Sequence, residues 1–345
     1  MKRTFLKHYS RAYPLGRIFQ TDDNGCVTLY TNGNHTETVT VTIFCQNPVV
    51  RVLDGNKFGL PLTQEVSFRD GEIVRITGSK SPHFRVLQQC LDAYDLGLRE
   101  FHPYNQEGRR DFPFGRGGVL EENINMLSRI ELSFPDHFPS PLSFVEPASV
   151  RTGFPLMRIK DNDRRLFDPD VCKRTLIPHE LAHALHFAFL PFRLRAAVEV
   201  KYALWLAKRI LKCQPPFHGI AVETSPFVAY IEAFPLFVER YVAHKITNPN
   251  LGGLPLHQSF FNAERNRATG NVMGLKGGDV EGAVMGAMFI DFADSPFTGL
   301  DFVVNSYIAS YALSFEGYRN FMFTSEGVNS ERSLWLNQVA ASRRM

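Results

Sequence analysis

The sequence lacks the features that mark several classes of protein. Its five cysteines are widely spaced and form no Cys-x-x-Cys pair, which argues against a disulfide framework and a cysteine zinc site. Lys and Arg total 38 against 35 Asp and Glu, so the overall charge favours neither nucleic acid nor an anionic membrane as a partner. No apolar run approaches the roughly 18 residues of a membrane span. The basic first residues precede no signal-peptide core. We therefore expect a soluble cytoplasmic protein, or an effector exported without a cleaved signal.

The composition favours a large hydrophobic core built from one or two domains. The chain has 345 residues, of which 44% are hydrophobic and 21% are charged. Residues 1–80 contain short segments rich in β-branched residues, separated by Asn-Gly and Asp-Gly turn dipeptides. The segments are residues 26–30, 39–44, 49–52, 65–68 and 72–76. This pattern predicts a small β-sandwich or barrel-like module, which could either bind a ligand or act as a scaffold for the rest of the chain.

Residues 81–345 are predicted to form a second, mainly helical domain, so the fold class is α+β. Its predicted elements are an amphipathic helix over residues 83–99, a loop over 101–118, strands near 130–134, 142–145 and 154–159, a buried helix over 175–190 and an amphipathic helix over 194–210. The glycines of the loop do not lie between a strand and a helix, which argues against a phosphate site. Pro155 favours an edge position for the strand over 154–159, where a peptide could add alongside; an internal strand is the alternative.

The buried helix contains the motif His179-Glu180-Leu-Ala-His183. Residues four apart share one face of a helix, so His179 and His183 can present two imidazole nitrogens to one Zn²⁺. Glu180 would then lie beside the open metal position, where it can accept a proton from water. Burial of three polar groups among apolar neighbours is costly without a metal. His186 lies on a neighbouring face, where we expect it to pack in the core or to support a ligand. The alternative to a metal site is that the motif lies on a solvated helix face.

A zinc peptidase site needs a third protein ligand, and the best candidate is Glu232. Ser225 is a plausible N-cap for a strongly apolar helix that would place Glu232 two turns inside it. Glu239 follows seven residues later on the same face, where it could hydrogen-bond a ligand histidine. Glu223 and Glu239 remain the alternative ligands, and Pro235 should kink the helix near the site.

These residues resemble those of the gluzincin class of zinc metallopeptidases, in which His-Glu-x-x-His is followed by a glutamate on a second helix. The run from Glu232 to Glu239 is also similar to the ligand helix of thimet-oligopeptidase-like enzymes. The resemblance covers roughly residues 150–320. It implies a thermolysin-like zincin domain that binds Zn²⁺ through His179, His183 and Glu232. It also implies a peptide or protein substrate, with Glu180 as the general base.

The resemblance extends to the segment after the third ligand. Residues 277–294 carry small residues every three or four positions, which predicts a helix packed tightly behind the site. Because such peptidases often use a tyrosine or histidine to stabilise the oxyanion, Tyr307, Tyr311 and Tyr318 are candidates, although aromatic residues at helical spacing more often belong to the core. Two other functions stay open: a non-catalytic zincin-fold binding protein, and a zinc hydrolase acting on a non-peptide bond. The sequence does not indicate an oligomeric state.

Overall fold

The computed structural model has an N-terminal β region followed by a mostly helical part, as the α+β prediction requires. The structure describes residues 4–10, 13–29, 38–47, 49–55, 60–69, 71–73, 75–76, 78–97, 130–140, 142–149, 155–212, 221–266 and 275–345. The loop predicted over residues 101–118 lies outside these ranges. No helix in the described ranges is long and apolar enough to cross a membrane.

Strands of the described residues form two sheets. Their bounds are β1 (Phe5–Ser10), β2 (Tyr13–Gln20), β3 (Val39–Phe44), β4 (Val50–Asp54), β5 (Leu60–Pro61), β6 (Thr63–Phe68), β7 (Ile130–Phe134), β8 (Phe144–Glu146) and β9 (Leu156–Arg158). The first sheet has the order β2-β1-β3-β6 and is antiparallel throughout. Leu6, Val41 and Ile43 of this sheet contribute to the hydrophobic core.

The second sheet joins strands from both sides of the predicted boundary at residue 80. Its order is β5-β4-β7-β9-β8, in which β4, β7 and β9 are parallel and the outer strands β5 and β8 are antiparallel. Arg51 of β4 lies opposite Glu131 of β7, and their side chains form an ion pair of 2.9 Å through Oε1 of the buried carboxylate. The first 80 residues therefore supply part of the sheet that supports the candidate site.

The strand predictions are partly confirmed. The structure has strands at or near residues 39–44, 49–52, 65–68, 130–134 and 142–145. The described residues of 26–30 and 72–76 are not in strands. Strands β1 and β2 were not predicted, because Pro14, Gly16 and scattered basic residues obscure their pattern. The segment near residues 154–159 contains β9, which lies between β7 and β8; the edge-strand prediction for it is therefore wrong.

The helices predicted over residues 83–99, 175–190 and 194–210 and after Ser225 are present near the predicted bounds, whereas the helices over residues 253–266, 315–326 and 331–342 were not predicted. Their bounds are α1 (Ser81–Leu96), α2 (Leu176–Phe189), α3 (Phe192–Leu211), α4 (Pro226–Thr247), α5 (Gly253–Asn266), α6 (Glu281–Met285), α7 (Leu300–Ala309), α8 (Phe315–Glu326) and α9 (Glu331–Ser342), and a π-helical segment (Gly286–Phe292) continues α6. The segment over residues 277–294 was predicted as one regular helix, so its division into α6 and a π-helix corrects that prediction.

Candidate metal centre

Helix α2 places the His-Glu-x-x-His motif inside the protein. Every residue from Leu176 to Ala188 is buried, and α2 packs against α4. Pro178 falls in the first helical turn, where its missing N–H leaves no hydrogen bond unmade. Thr175 takes the N-cap position, and its side chain makes no capping hydrogen bond. Two histidines and a glutamate are thus held among apolar side chains.

The third member of the cluster comes from α4. Ser225 caps this helix by accepting a hydrogen bond from the Val228 amide at 3.2 Å, as predicted. The helix runs through Pro235 without ending, and Glu232 is only 2% exposed within it. Helix α4 therefore delivers a buried carboxylate to the two histidines of α2.

The three side chains converge through one atom each. Nε2 of His183 lies 3.0 Å from Oε2 of Glu232, and Nε2 of His179 lies 3.3 Å from the same oxygen. Ligand atoms held about 2.0–2.1 Å from a tetrahedral zinc would lie about 3.3 Å apart, so this spacing suits a shared metal ion. All three candidate ligand atoms lie within 4.8 Å of one another, and the group could hold a metal ion.

Two further contacts orient these side chains. Nδ1 of His179 lies 3.2 Å from Oε2 of Glu239. If Nδ1 carries the proton and donates it to Glu239, Nε2 keeps its lone pair directed at Glu232 and the metal position. The hydroxyl of Tyr202 on α3 donates to Oε1 of Glu232, which leaves Oε2 directed towards the histidines. Glu239 thus has the supporting position that its spacing indicated.

Glu223 lies elsewhere. Its backbone pairs with Val280 ahead of α4, and its side chain lines a different cavity. Of the three glutamates considered as ligands, Glu232 is the one that the structure brings to both histidines.

Burial sets the electrostatics of the cluster. It raises the pKa of Glu180, and the neighbouring His179 and His183 only partly offset that rise. Burial also lowers the pKa of His179, but hydrogen bonds to Glu232 and Glu239 outweigh it and hold this pKa well above its usual value. Without a metal, a proton on His179 therefore offsets part of the negative charge of Glu232 and Glu239. A metal cation could take over this role once the proton is released.

A cavity of about 400 Å³ opens beside the cluster. His179, Glu180, His183 and Glu232 form its polar end. Its remaining walls are largely apolar and come from α3 and from the segment 138–147, which includes β8. Among the described strands, β8 pairs only with β9, so its outer edge faces away from the sheet. The cavity therefore joins a buried metal-ligand group to an apolar surface and a strand edge.

The tyrosines proposed from the sequence lie outside this cavity. Tyr307 is fully buried, and its hydroxyl lies 3.3 Å from both Nδ1 of His186 and the Tyr230 carbonyl. Tyr311 is 48% exposed on the surface, and Tyr318 bonds Ser306 inside the core. None of these positions supports contact with a substrate in the cavity. The oxyanion role predicted for Tyr307 and Tyr311 is therefore not supported.

Among the described residues, Tyr202 is the tyrosine that lines the cavity, and it was not among the residues predicted from the sequence. It follows Val198, one of the two residues buried by α3, by four positions, so the two share a helix face. From that spacing, the sequence could have predicted that Tyr202 points into the protein. It could not have predicted the contact with Glu232, because the two residues lie on separate helices.

No protein-family model matches the chain, and no curated protein matches it in sequence. The resemblance to gluzincins therefore stays a prediction based on the motif.

Proposed function

We propose that this protein is a zinc-dependent peptidase. The observation that carries the proposal is the convergence of His179, His183 and Glu232 on one point, with the buried Glu180 beside them at the end of an open cavity. A purely structural metal would need the three ligands but would have no use for Glu180 or for the cavity.

The donor set suits zinc, which is bound in many catalytic sites by two imidazoles and one carboxylate. Nε2 of His179, Nε2 of His183 and Oε2 of Glu232 would hold the ion. When bound, zinc acts as a Lewis acid that polarises a carbonyl and lowers the pKa of water. Glu239 and Tyr202 fix the orientation of two of these ligands.

Glu180 is the proton carrier in this proposal. Its carboxylate oxygens would accept a proton from the attacking water and return it to the nitrogen of the leaving amine. In the metal-free protein, burial raises the pKa of Glu180, which makes it a stronger base than an exposed glutamate.

The substrate would bind along β8. An extended peptide can add to the outer edge of β8 through main-chain hydrogen bonds while its side chains enter the apolar cavity. Strand β8 thus takes the role that was predicted for residues 154–159. The supporting features are the edge position of β8 and its place in the cavity wall. A sheet with an antiparallel edge strand above two ligand helices is what a thermolysin-like zincin domain would require.

The test is digestion of a proteome-derived peptide library by the zinc-loaded protein and by Glu180→Gln. The substitution removes the proton acceptor without removing a ligand, so we expect zinc content and melting temperature to persist while cleavage falls by orders of magnitude. Mass spectrometry of the library measures the cleavage products.

Two results would contradict the proposal. Equal cleavage by Glu180→Gln would show that Glu180 is not the base. An intact library with fully zinc-loaded protein would exclude peptidase activity; if peptides were retained uncleaved, the non-catalytic binding protein would be favoured instead.

A further inference from the structure

Helix α3 exposes more apolar surface than a helix of a folded core normally does. Although it has 20 residues, it buries only Arg195 and Val198. Six of the sixteen large hydrophobic residues that are exposed in the described part of the chain lie on this helix. They are Phe192 (59% exposed), Val200 (58%), Leu204 (65%), Leu206 (38%), Ile210 (60%) and Leu211 (85%).

Most of these side chains form a single face, which we call the outer face of α3 and define as Phe192, Val200, Leu204, Ile210 and Leu211. At about 100° per residue, these five positions lie within about 120° of the helix circumference, opposite Val198 and Tyr202. An apolar surface this concentrated marks an interaction site rather than scattered exposed residues.

A row of lysines borders the outer face. Lys201, Lys208 and Lys212 are exposed, and their spacing places them within about 40° of one another along one flank of the apolar residues. No described residue forms an ion pair with any of the three. Helix α3 carries five basic residues and one acidic residue, so it is strongly basic although the chain as a whole is nearly neutral.

The lysine row also borders a second cavity of about 540 Å³ at the start of α4. Four basic side chains line it, together with the carboxylates of Glu223 and Asp279. The basic residues are Lys201, Lys208, Arg209 and Lys212. The positive charge is therefore concentrated on the flank of α3 that faces away from the metal centre.

We propose that the outer face of α3 docks on an anionic lipid surface. Apolar side chains enter the boundary between headgroups and acyl chains, and the flanking lysines reach the lipid phosphates; this division is typical of helices that lie in a membrane interface. A second copy of the chain fits less well, because an antiparallel two-fold contact along α3 would place two lysine rows on the same side. This inference does not depend on peptidase activity.

One consequence concerns access to the metal centre. Ala203 and Leu206 of α3 line the cavity beside the zinc ligands. Docking through the outer face would therefore hold the α3 wall of that cavity close to the lipid surface.

The experiment is flotation of the full-length protein with phosphatidylcholine vesicles, with and without phosphatidylserine. We expect binding to the anionic vesicles that weakens as salt is raised. Lys201→Gln/Lys208→Gln/Lys212→Gln should lower the partition coefficient on the order of 100-fold, since each basic residue near an anionic surface contributes about five-fold. Leu204→Ser/Leu211→Ser should lower it by a similar factor through lost apolar insertion.

Matched controls separate this surface from general effects. Leu254→Ser on α5, where the leucine is 81% exposed, and Lys276→Gln should bind as the wild type does. Unchanged circular dichroism and melting temperatures establish that the variants are folded. Equal binding to neutral and anionic vesicles, or full binding by the α3 variants, would overturn the proposal. The proposal would also be overturned if the wild type were a dimer that does not bind vesicles and if Leu204→Ser/Leu211→Ser converted that dimer to a monomer.

Discussion

Glu232 and Glu239 lie on one face of α4, yet they contact different atoms of the histidines. Glu232 meets Nε2 of both His179 and His183, whereas Glu239 meets Nδ1 of His179. The spacing of seven residues could predict that both carboxylates reach the site. It could not predict which atom each one contacts, because that depends on how α2 and α4 cross.

The two glutamates should therefore respond differently to the same substitution. Glu232→Gln should abolish tight zinc binding, because a charged ligand is lost. Glu239→Gln should weaken zinc affinity by roughly 10- to 100-fold, because only the orientation and basicity of His179 change. Competition with a chromophoric chelator measures both affinities, with Glu223→Gln as the matched control. If Glu239→Gln lost zinc and Glu232→Gln kept it, the two roles would be exchanged. Retention of zinc by both variants would exclude Glu232 as a ligand.

His186 is a buried histidine of α2 that contacts no candidate ligand of the metal. It packs against Phe187, Phe234 and Tyr307, and its Nε2 has no hydrogen-bond partner among the described residues. Burial lowers the pKa of His186 to about 3, with a smaller contribution from His183. The folded protein thus keeps this side chain neutral, in keeping with the packed role expected from the sequence.

This burial should make stability depend on pH. The unfolded chain takes up the proton near pH 6.5 and the folded protein only near pH 3, so His186 favours unfolding progressively as pH falls between these values. Relative to His186→Phe, the wild type should lose about 1.4 kcal/mol of unfolding free energy per pH unit in this window. Urea unfolding with a chelator present measures the difference. His137→Phe, at an exposed histidine, should behave as the wild type; parallel curves for wild type and His186→Phe would contradict the account.

At the scale of elements, helices α1 to α4 were easier to predict than the sheets. Periodic apolar residues and caps defined α1, α2, α3 and α4 within a few residues, because those signals are local. Strand order depends on contacts between distant segments. Pro155 suggested an edge strand, but it lies just before β9, where its missing N–H does not prevent pairing with β7 and β8 on either side.

The π-helical segment after α6 also involves a contact between distant parts of the chain that could not be predicted from local sequence. Gly286 begins this segment, and a Cβ at that position would lie 2.5 Å from the guanidinium of Arg343. Arg343 is 2% exposed and pairs with Asp291 at 2.6 Å, so it cannot move aside easily. The small residues of the segment predicted close packing, but not that an arginine from the C-terminal helix would fill the space.

Gly286→Ala should consequently destabilise the protein. Replacing a helical glycine by alanine normally stabilises by up to about 1 kcal/mol, but displacing a buried, paired arginine should cost more, about 1–3 kcal/mol in total. Urea unfolding of the variant measures the change. At Gly278 a Cβ would meet no atom within 4 Å, so Gly278→Ala is the matched control and should lie near the wild type. A more stable Gly286→Ala would show that Arg343 does not occupy this position.

At the scale of the whole molecule, the site depends on contacts that connect three distant parts of the chain. Helix α2 carries two candidate ligands, α4 carries the third, and β8 forms part of the wall of the cavity beside them. The parallel pairing of β4 with β7 ties the N-terminal region to the same sheet. The motif could predict the ligands, but it carried no information about Tyr202 or about the basic, apolar outer face of α3.

The central claim is that His179, His183 and Glu232 together hold one zinc ion. Elemental analysis of the purified protein tests it most directly, by counting zinc per chain in the wild type and in His183→Ala. His244→Ala, at a partly buried histidine of α4 that bonds Ser259, serves as the control. We predict about one zinc in the wild type and the control, and none in His183→Ala. Zinc retained by His183→Ala at the wild-type level would contradict the account.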